Sequence, residues 1–155
     1  MQDFVHLHVH TQYSLLDGQA SVARLVDKAM QNGMKGIAVT DHGNMFGIKE
    51  FTNYVNKKNS GPKGEVKDLK KRIAGIEAGT IECADKEAEI AACKAKIVEA
   101  ENKLFKPVIG CEMYVARRTM DLKEGKPDQS GYHLIVLAKN EKGYHNLIKL
   151  VSHAW

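Results

Sequence analysis

The sequence predicts an α/β fold on three observations: short apolar runs of strand character, segments of helical period between them, and metal-ligand side chains near the ends of the runs. The first run carries His6, His8 and His10 alternating with Val5, Leu7 and Val9. In an extended strand alternate side chains share a face, so the three imidazoles point one way and the apolar side chains the other. Ser21 suits an N-cap and Gly33 a C′ residue, and between them Val22, Leu25, Val26, Ala29 and Met30 recur at helical spacing. Residues 36–40 (GIAVT) form a nearly continuous apolar run, the mark of a strand covered on both faces, and it ends in Asp41, His42 and Gly43. A second helix is expected over 46–56, two further buried strands over 107–115 (PVIGCEMYV) and 133–138 (HLIVLA), and a closing helix over 141–153. The order β, α, β, α, insertion, β, β, α argues for parallel α/β architecture, whose sites gather at the carboxyl ends of strands. His133 departs from that rule, because it opens its strand.

The insertion spans residues 57–106, where the composition turns to Lys, Glu and Ala. Val66, Leu69, Ile73 and Ile76 form one short apolar seam, and Ile90, Cys93, Ile97, Ala100 and Leu104 a second, separated by residues 79–85. Two such seams predict an antiparallel helical hairpin projecting from the domain. A solvated structural role suits it better than a partner-binding arm.

Composition bounds the rest. A chain of 155 residues suggests one domain, and 43% hydrophobic residues can sustain a core. The net charge of +4 is interspersed with Glu and Asp and does not mark a nucleic-acid-binding surface. Cys83, Cys93 and Cys111 fit no zinc spacing and read as free thiols in a reducing cytoplasm. No apolar run approaches the ~20 residues needed to cross a bilayer, so no membrane partner is expected.

A divalent cation needs deprotonated oxygen and neutral nitrogen ligands drawn from several segments. His8, His10, Asp17, His42, Glu112 and His133 offer that mixture. They exceed what one tetrahedral ion uses, which suggests two or three ions sharing carboxylates, the arrangement that clamps attacking and leaving oxygens in phosphoester hydrolysis. His145 and His153 read as surface residues, and Tyr132, Tyr144 and Trp155 as core packing rather than base-stacking platforms.

Four blocks in order, FVHLHVHTQYSLLDG, AVTDHGNMFG, KPVIGCEMYVA and YHLIVLAKNEKGYHNLIKLVS, resemble the PHP (polymerase and histidinol phosphatase) domain found at the amino terminus of bacterial DNA polymerase III alpha subunits. Gly143, Tyr144, Asn146 and Leu147 resemble the polymerase branch more than the free-standing phosphatases. The resemblance implies a distorted (β/α)7 barrel over 1–155 and beyond, interrupted by the 57–106 hairpin, with its metal centre at the strand carboxyl ends. It implies ligands at His8 and His10 from the HxH motif, Asp17 from LLDG, His42 from TDHG, Glu112 from GCE as a bridging carboxylate, and His133 from the last block. Asp41 is placed to orient a ligand, and His6 stands where free-standing relatives carry Asp. The implied cofactors are two or three divalent ions, zinc, manganese or magnesium, and the implied nucleophile is water rather than a side chain.

A complete β/α barrel takes roughly 250 residues, so a fragment is expected, lacking a distal Asp-x-His ligand pair and the polymerase carboxylates of a later palm domain. The resemblance implies a nucleotidyltransferase module in DNA replication, with DNA and replisome subunits as partners and a phosphoesterase-like site resembling a 3′–5′ proofreading exonuclease. Its rivals are a non-catalytic scaffold docking a separate proofreading subunit and a free-standing PHP phosphatase. A partial barrel also leaves an unpaired strand edge, from which self-association is expected.

Overall fold

The computed structural model describes residues 4–154. Among them the chain forms five α-helices and a three-stranded sheet, a mixed α/β fold. It divides into two compact units, one taking the chain up to Tyr54 and again from Lys106, the other Val55–Phe105.

In the first unit, α1 (Val22–Gln31) is capped as its sequence requires: Ser21 Oγ accepts from Arg24 N–H, and Gly33 follows the helix at φ 75°. Its Val22, Val26 and Ala29 are buried along one stripe. Strand β1 (Gly36–Val39) is buried at every residue. It runs parallel to β2 (Lys106–Val115), with Gly36 opposite Lys106 and Val39 opposite Ile109. The start of α2 (Ile48–Lys58) adds Ile48 and Phe51 to the same core. Helix α5 (Glu141–Ala154) begins with Asn140 Oδ1 accepting from Gly143 N–H and buries Leu147.

Two expectations about this unit need correction. The first run is not a regular strand. His6 O accepts from Ala38 N–H at 2.8 Å and Val9 O from Thr40 N–H at 2.9 Å, so three steps along the first segment match two along β1. The extra residue bends the chain at Leu7, which is 53% exposed, and the strict alternation of faces is lost. Second, β3 (Tyr132–Leu137) is antiparallel to β2, with Gly110 opposite Leu137 and Val115 opposite Tyr132. No α-helix joins these strands, only a loop with one 3₁₀ turn at Lys126–Asp128, and a parallel return needs a longer, usually helical, crossover. The reversal brings the beginning of β3 to the end of β2, where His133 reaches the site although it opens its strand. Tyr132, expected in a core, is 60% exposed; Trp155 lies outside the described residues.

The second unit contains α3 (Ser60–Glu77) and α4 (Lys86–Asn102), which pack on each other and bury Ile76, Cys93, Ile97 and Ala100. Helix α3 starts six residues before the Val66 seam, with Pro62 in its first turn, where a missing N–H costs nothing. Asp85 caps α4 by accepting from Ala88 N–H at 3.0 Å. Asn59 precedes α3 but makes no cap; its amide instead donates to Phe105 O at 2.8 Å and accepts from Phe105 N–H at 2.9 Å. This buried pair ties the two ends of the unit together. Asn59→Ala would strand both backbone groups, and a destabilisation of about 1–3 kcal/mol is expected, read as a lower urea midpoint.

Candidate metal centre

Glu112 organises the site. Its carboxylate is 3% exposed and lies in β2 where the chain after β1 continues alongside it: Glu112 N–H donates to Asp41 O at 3.1 Å, and Gly43 N–H donates to Glu112 O at 2.9 Å. That pairing sets His42 beside Glu112. The two carboxylate oxygens face different pairs of rings. Oε2 meets His10 Nε2 at 2.9 Å and His8 Nε2 at 3.3 Å. Oε1 lies 3.0 Å from His133 Nδ1 and 3.4 Å from His42 Nδ1.

Asp17 joins from the loop side, with Oδ1 2.9 Å from His10 Nδ1 and Oδ2 3.3 Å from His42 Nδ1. The residues singled out in the sequence therefore gather at Glu112, four histidines at its carboxylate oxygens and Asp17 through His10 and His42. His8, His10 and Glu112 form a group whose facing atoms lie within 4.8 Å of one another. His6 is not among them; its ring stacks edge-on against Phe4.

The supporting shell explains why these rings face inward. Thr40 Oγ1 accepts from Val9 N–H at 3.0 Å and is 2.8 Å from His8 Nδ1, holding that ring so that Nε2 is left for Glu112. Tyr114 hydroxyl is 2.7 Å from His42 Nε2, leaving Nδ1 for the carboxylates. Ser14 Oγ donates to Asp17 Oδ1 at 2.5 Å and accepts from His42 N–H at 3.0 Å. Asp41 does not touch a histidine ring. It accepts from Thr11 N–H at 2.5 Å and from Thr11 Oγ1 at 2.8 Å, fixing the residue next to His10. Thr40, Tyr114 and Ser14 were not singled out as site residues, although Tyr114 stands two residues from Glu112 and so shares its strand face.

Electrostatics follow the geometry. Burial opposes charge on His10, but the adjoining carboxylates of Asp17 and Glu112 outweigh it and hold the imidazole above its ordinary value. The Ser14 hydroxyl, with His10 and His42, holds Asp17 below the usual carboxylate range. Burial pushes Asp41 up, against the Thr11 hydrogen bonds. Burial, then Asp41 and Glu112, raise the Cys111 thiol to about 11, so it stays protonated and offers no nucleophile. Burial, then the Glu112 and Asp17 carboxylates, raise Tyr114.

The donor set fits a divalent cation. His42 Nδ1 and Glu112 Oε1 are buried without a hydrogen-bond partner, facing each other at 3.4 Å. Unpaired polar atoms in the interior cost about 1–3 kcal/mol each unless something satisfies them. Nitrogen and oxygen ligands held about 2.0–2.1 Å from a tetrahedral ion stand about 3.4 Å apart. The separations of 3.3–3.4 Å from His8 and His42 to the carboxylates match that spacing.

The PHP domain model matches residues 6–155 of the chain. Among curated proteins, DNA polymerase III subunit alpha of Treponema pallidum is 39% identical over 153 residues, covering 98% of this chain and 9% of that protein. The subunit of the same name from Borreliella burgdorferi is 40% identical over 152 residues, 96% of this chain and 9% of its own length. That of Aquifex aeolicus is 32% identical over 160 residues, 99% of this chain and 10% of its own. The chain thus spans 9–10% of the length of these relatives. Among the described residues no helix is long and apolar enough to cross a membrane.

Proposed function

The chain belongs to the PHP domain family, and from that membership we propose that it is the amino-terminal module of a DNA polymerase III alpha subunit, holding divalent cations for phosphoester hydrolysis. The observation that carries the metal reading is the buried Glu112 carboxylate with four imidazole nitrogens within 3.4 Å of its two oxygens. Burying a carboxylate so surrounded is a costly way to stabilise a fold, since replacing buried charged pairs by apolar residues of similar volume is often neutral or stabilising. Glu112 would hold cations together with His8 and His10 beside one of its oxygens and His42 and His133 beside the other. Asp17 would complete the ligand set from the loop side.

Bound cations would supply charge neutralisation at a phosphate and acidify water in their coordination sphere. The chain's own part is positional. Glu112 and Asp17 concentrate negative charge that draws cations in, and the hydroxyls of Thr40 and Tyr114 fix the rings. Exposed His8 and His133 form the open side through which a phosphoester would approach. The buried Cys111 thiol stays protonated and is not a competent nucleophile, which agrees with water serving that role.

The sheet β1–β2–β3 and its helices form part of a (β/α)7 barrel in this reading, and residues 57–106 a helical hairpin inserted within it. Polymerase relatives favour the replication branch over a free-standing phosphatase. The 3′ end of DNA is then the natural phosphodiester, replisome subunits the natural partners, and the cytoplasm the natural compartment. Elemental mass spectrometry on the chain dialysed against zinc, and separately manganese, tests the metal reading. At least one ion per chain is expected, lost on His8→Ala and His10→Ala. Metal at background level in the native chain would overturn it and leave the non-catalytic scaffold.

A further inference from the structure

Tyr114 holds the His42 ring without being one of the proposed ligands, and it does so with a group that can reverse its hydrogen bond. It lies in β2 on the face of Glu112 and directly opposite His133 in the β2–β3 register. Its ring packs edge-on against His133 at 4.6 Å and against His42 at 5.0 Å between centroids. Its hydroxyl is 2.7 Å from His42 Nε2.

A ring with Nε2 engaged has only Nδ1 left to offer. In His42, Nδ1 is the atom that faces Asp17 Oδ2 at 3.3 Å and Glu112 Oε1 at 3.4 Å. His8 shows the opposite choice, held at Nδ1 by Thr40 and presenting Nε2. A ligating histidine gives its other ring N–H to an acceptor, and that acceptor decides which nitrogen carries the proton. Carbonyls and carboxylates can only accept. A phenol can accept or donate.

Resting on the metal-centre reading above, we infer that Tyr114 is a positioning residue that reverses its hydrogen bond to His42 when a cation binds, fixing Nδ1 as the ligand atom. Without metal, Tyr114 donates to Nε2, and the Nδ1–H of neutral His42 faces the two carboxylates. With metal, Nδ1 gives up its proton, Nε2 takes one, and Nε2–H donates to the phenol oxygen. The imidazole stays neutral in both states, so no net proton is gained or lost. Only a group able to turn its own proton away serves both states without an orphaned partner.

Nitrogen-15 NMR of the histidine rings, before and after zinc, reads this directly, because protonated and bare ring nitrogens resonate far apart. In the native chain His42 should move from Nδ1–H to Nε2–H as zinc binds. Tyr114→Phe removes one exposed-side hydroxyl and no packing, and should weaken zinc binding about 10- to 100-fold. The ring signals of His8, held by Thr40, should remain those of the native chain. Unchanged zinc affinity in Tyr114→Phe, with His42 still switching, would overturn the inference and leave the metal site standing. Simultaneous disturbance of His8 and His42 in the variant would overturn it as well, since Tyr114 would then be supporting the fold. A native chain that takes up no zinc would remove both the inference and the reading beneath it.

Discussion

Glu112→Gln should reduce zinc affinity by more than ~100-fold, beyond the loss typical of a residue that only supports ligands. The substitution keeps the shape and burial of the side chain, so its effect reports charge and donor chemistry. Glutamine would turn an NH₂ toward rings that now face two acceptor oxygens, and would carry no charge to hold a cation. Asp17 cannot substitute, because it approaches His10 and His42 but is paired with neither His8 nor His133. Thermal unfolding gives a second reading of the same result. A ligand at about 100 times its dissociation constant stabilises the native state by about 2.7 kcal/mol. The native chain should melt higher in zinc, and Glu112→Gln should melt at one temperature with or without it. Equal zinc-dependent stabilisation of both proteins would show that the carboxylate is not the centre of the site.

The histidine row was legible in the sequence because ligand chemistry is local: HxH, DHG and GCE carry their donors within a few residues. What the sequence did not show is how the segments meet. The bend at Leu7 comes from one extra residue between His6 and Val9 relative to β1, a mismatch of register visible only once both segments are in place. The antiparallel β3 was within reach, since residues 116–131 hold no segment of helical period and two consecutive strands without a crossover reverse direction. His133 stands out through the resemblance of its block, and its place opposite Tyr114 at the start of the antiparallel β3 explains its position. Tyr114 was harder. A tyrosine in an apolar strand looks like packing until its neighbour across the strand end is known to be His42.

The second large effect is expected at a residue with no functional group. Gly18 closes the loop that carries Ser14 and Asp17, donating its N–H to Ser14 O at 2.7 Å. A Cβ added there would lie 1.9 Å from Thr11 O and 2.9 Å from Ser14 Cβ. The obstacle is a backbone carbonyl rather than a side chain that could rotate aside. Nor can Thr11 retreat freely, because its N–H and hydroxyl are both held by the buried Asp41 carboxylate. Gly18→Ala must therefore displace the loop itself, at a cost of about 3 kcal/mol or more, the upper end for overpacking. Displacement carries Ser14 away from His42 N–H and Asp17 away from His10 and His42, so zinc affinity should fall together with the urea midpoint. Two separate deficits are expected from one methyl group. If Gly18→Ala unfolds at the native midpoint and binds zinc as the native chain does, the loop is not held through Thr11 and the buried Asp41 carboxylate as the structure describes, and Asp17 reaches the site by some other path.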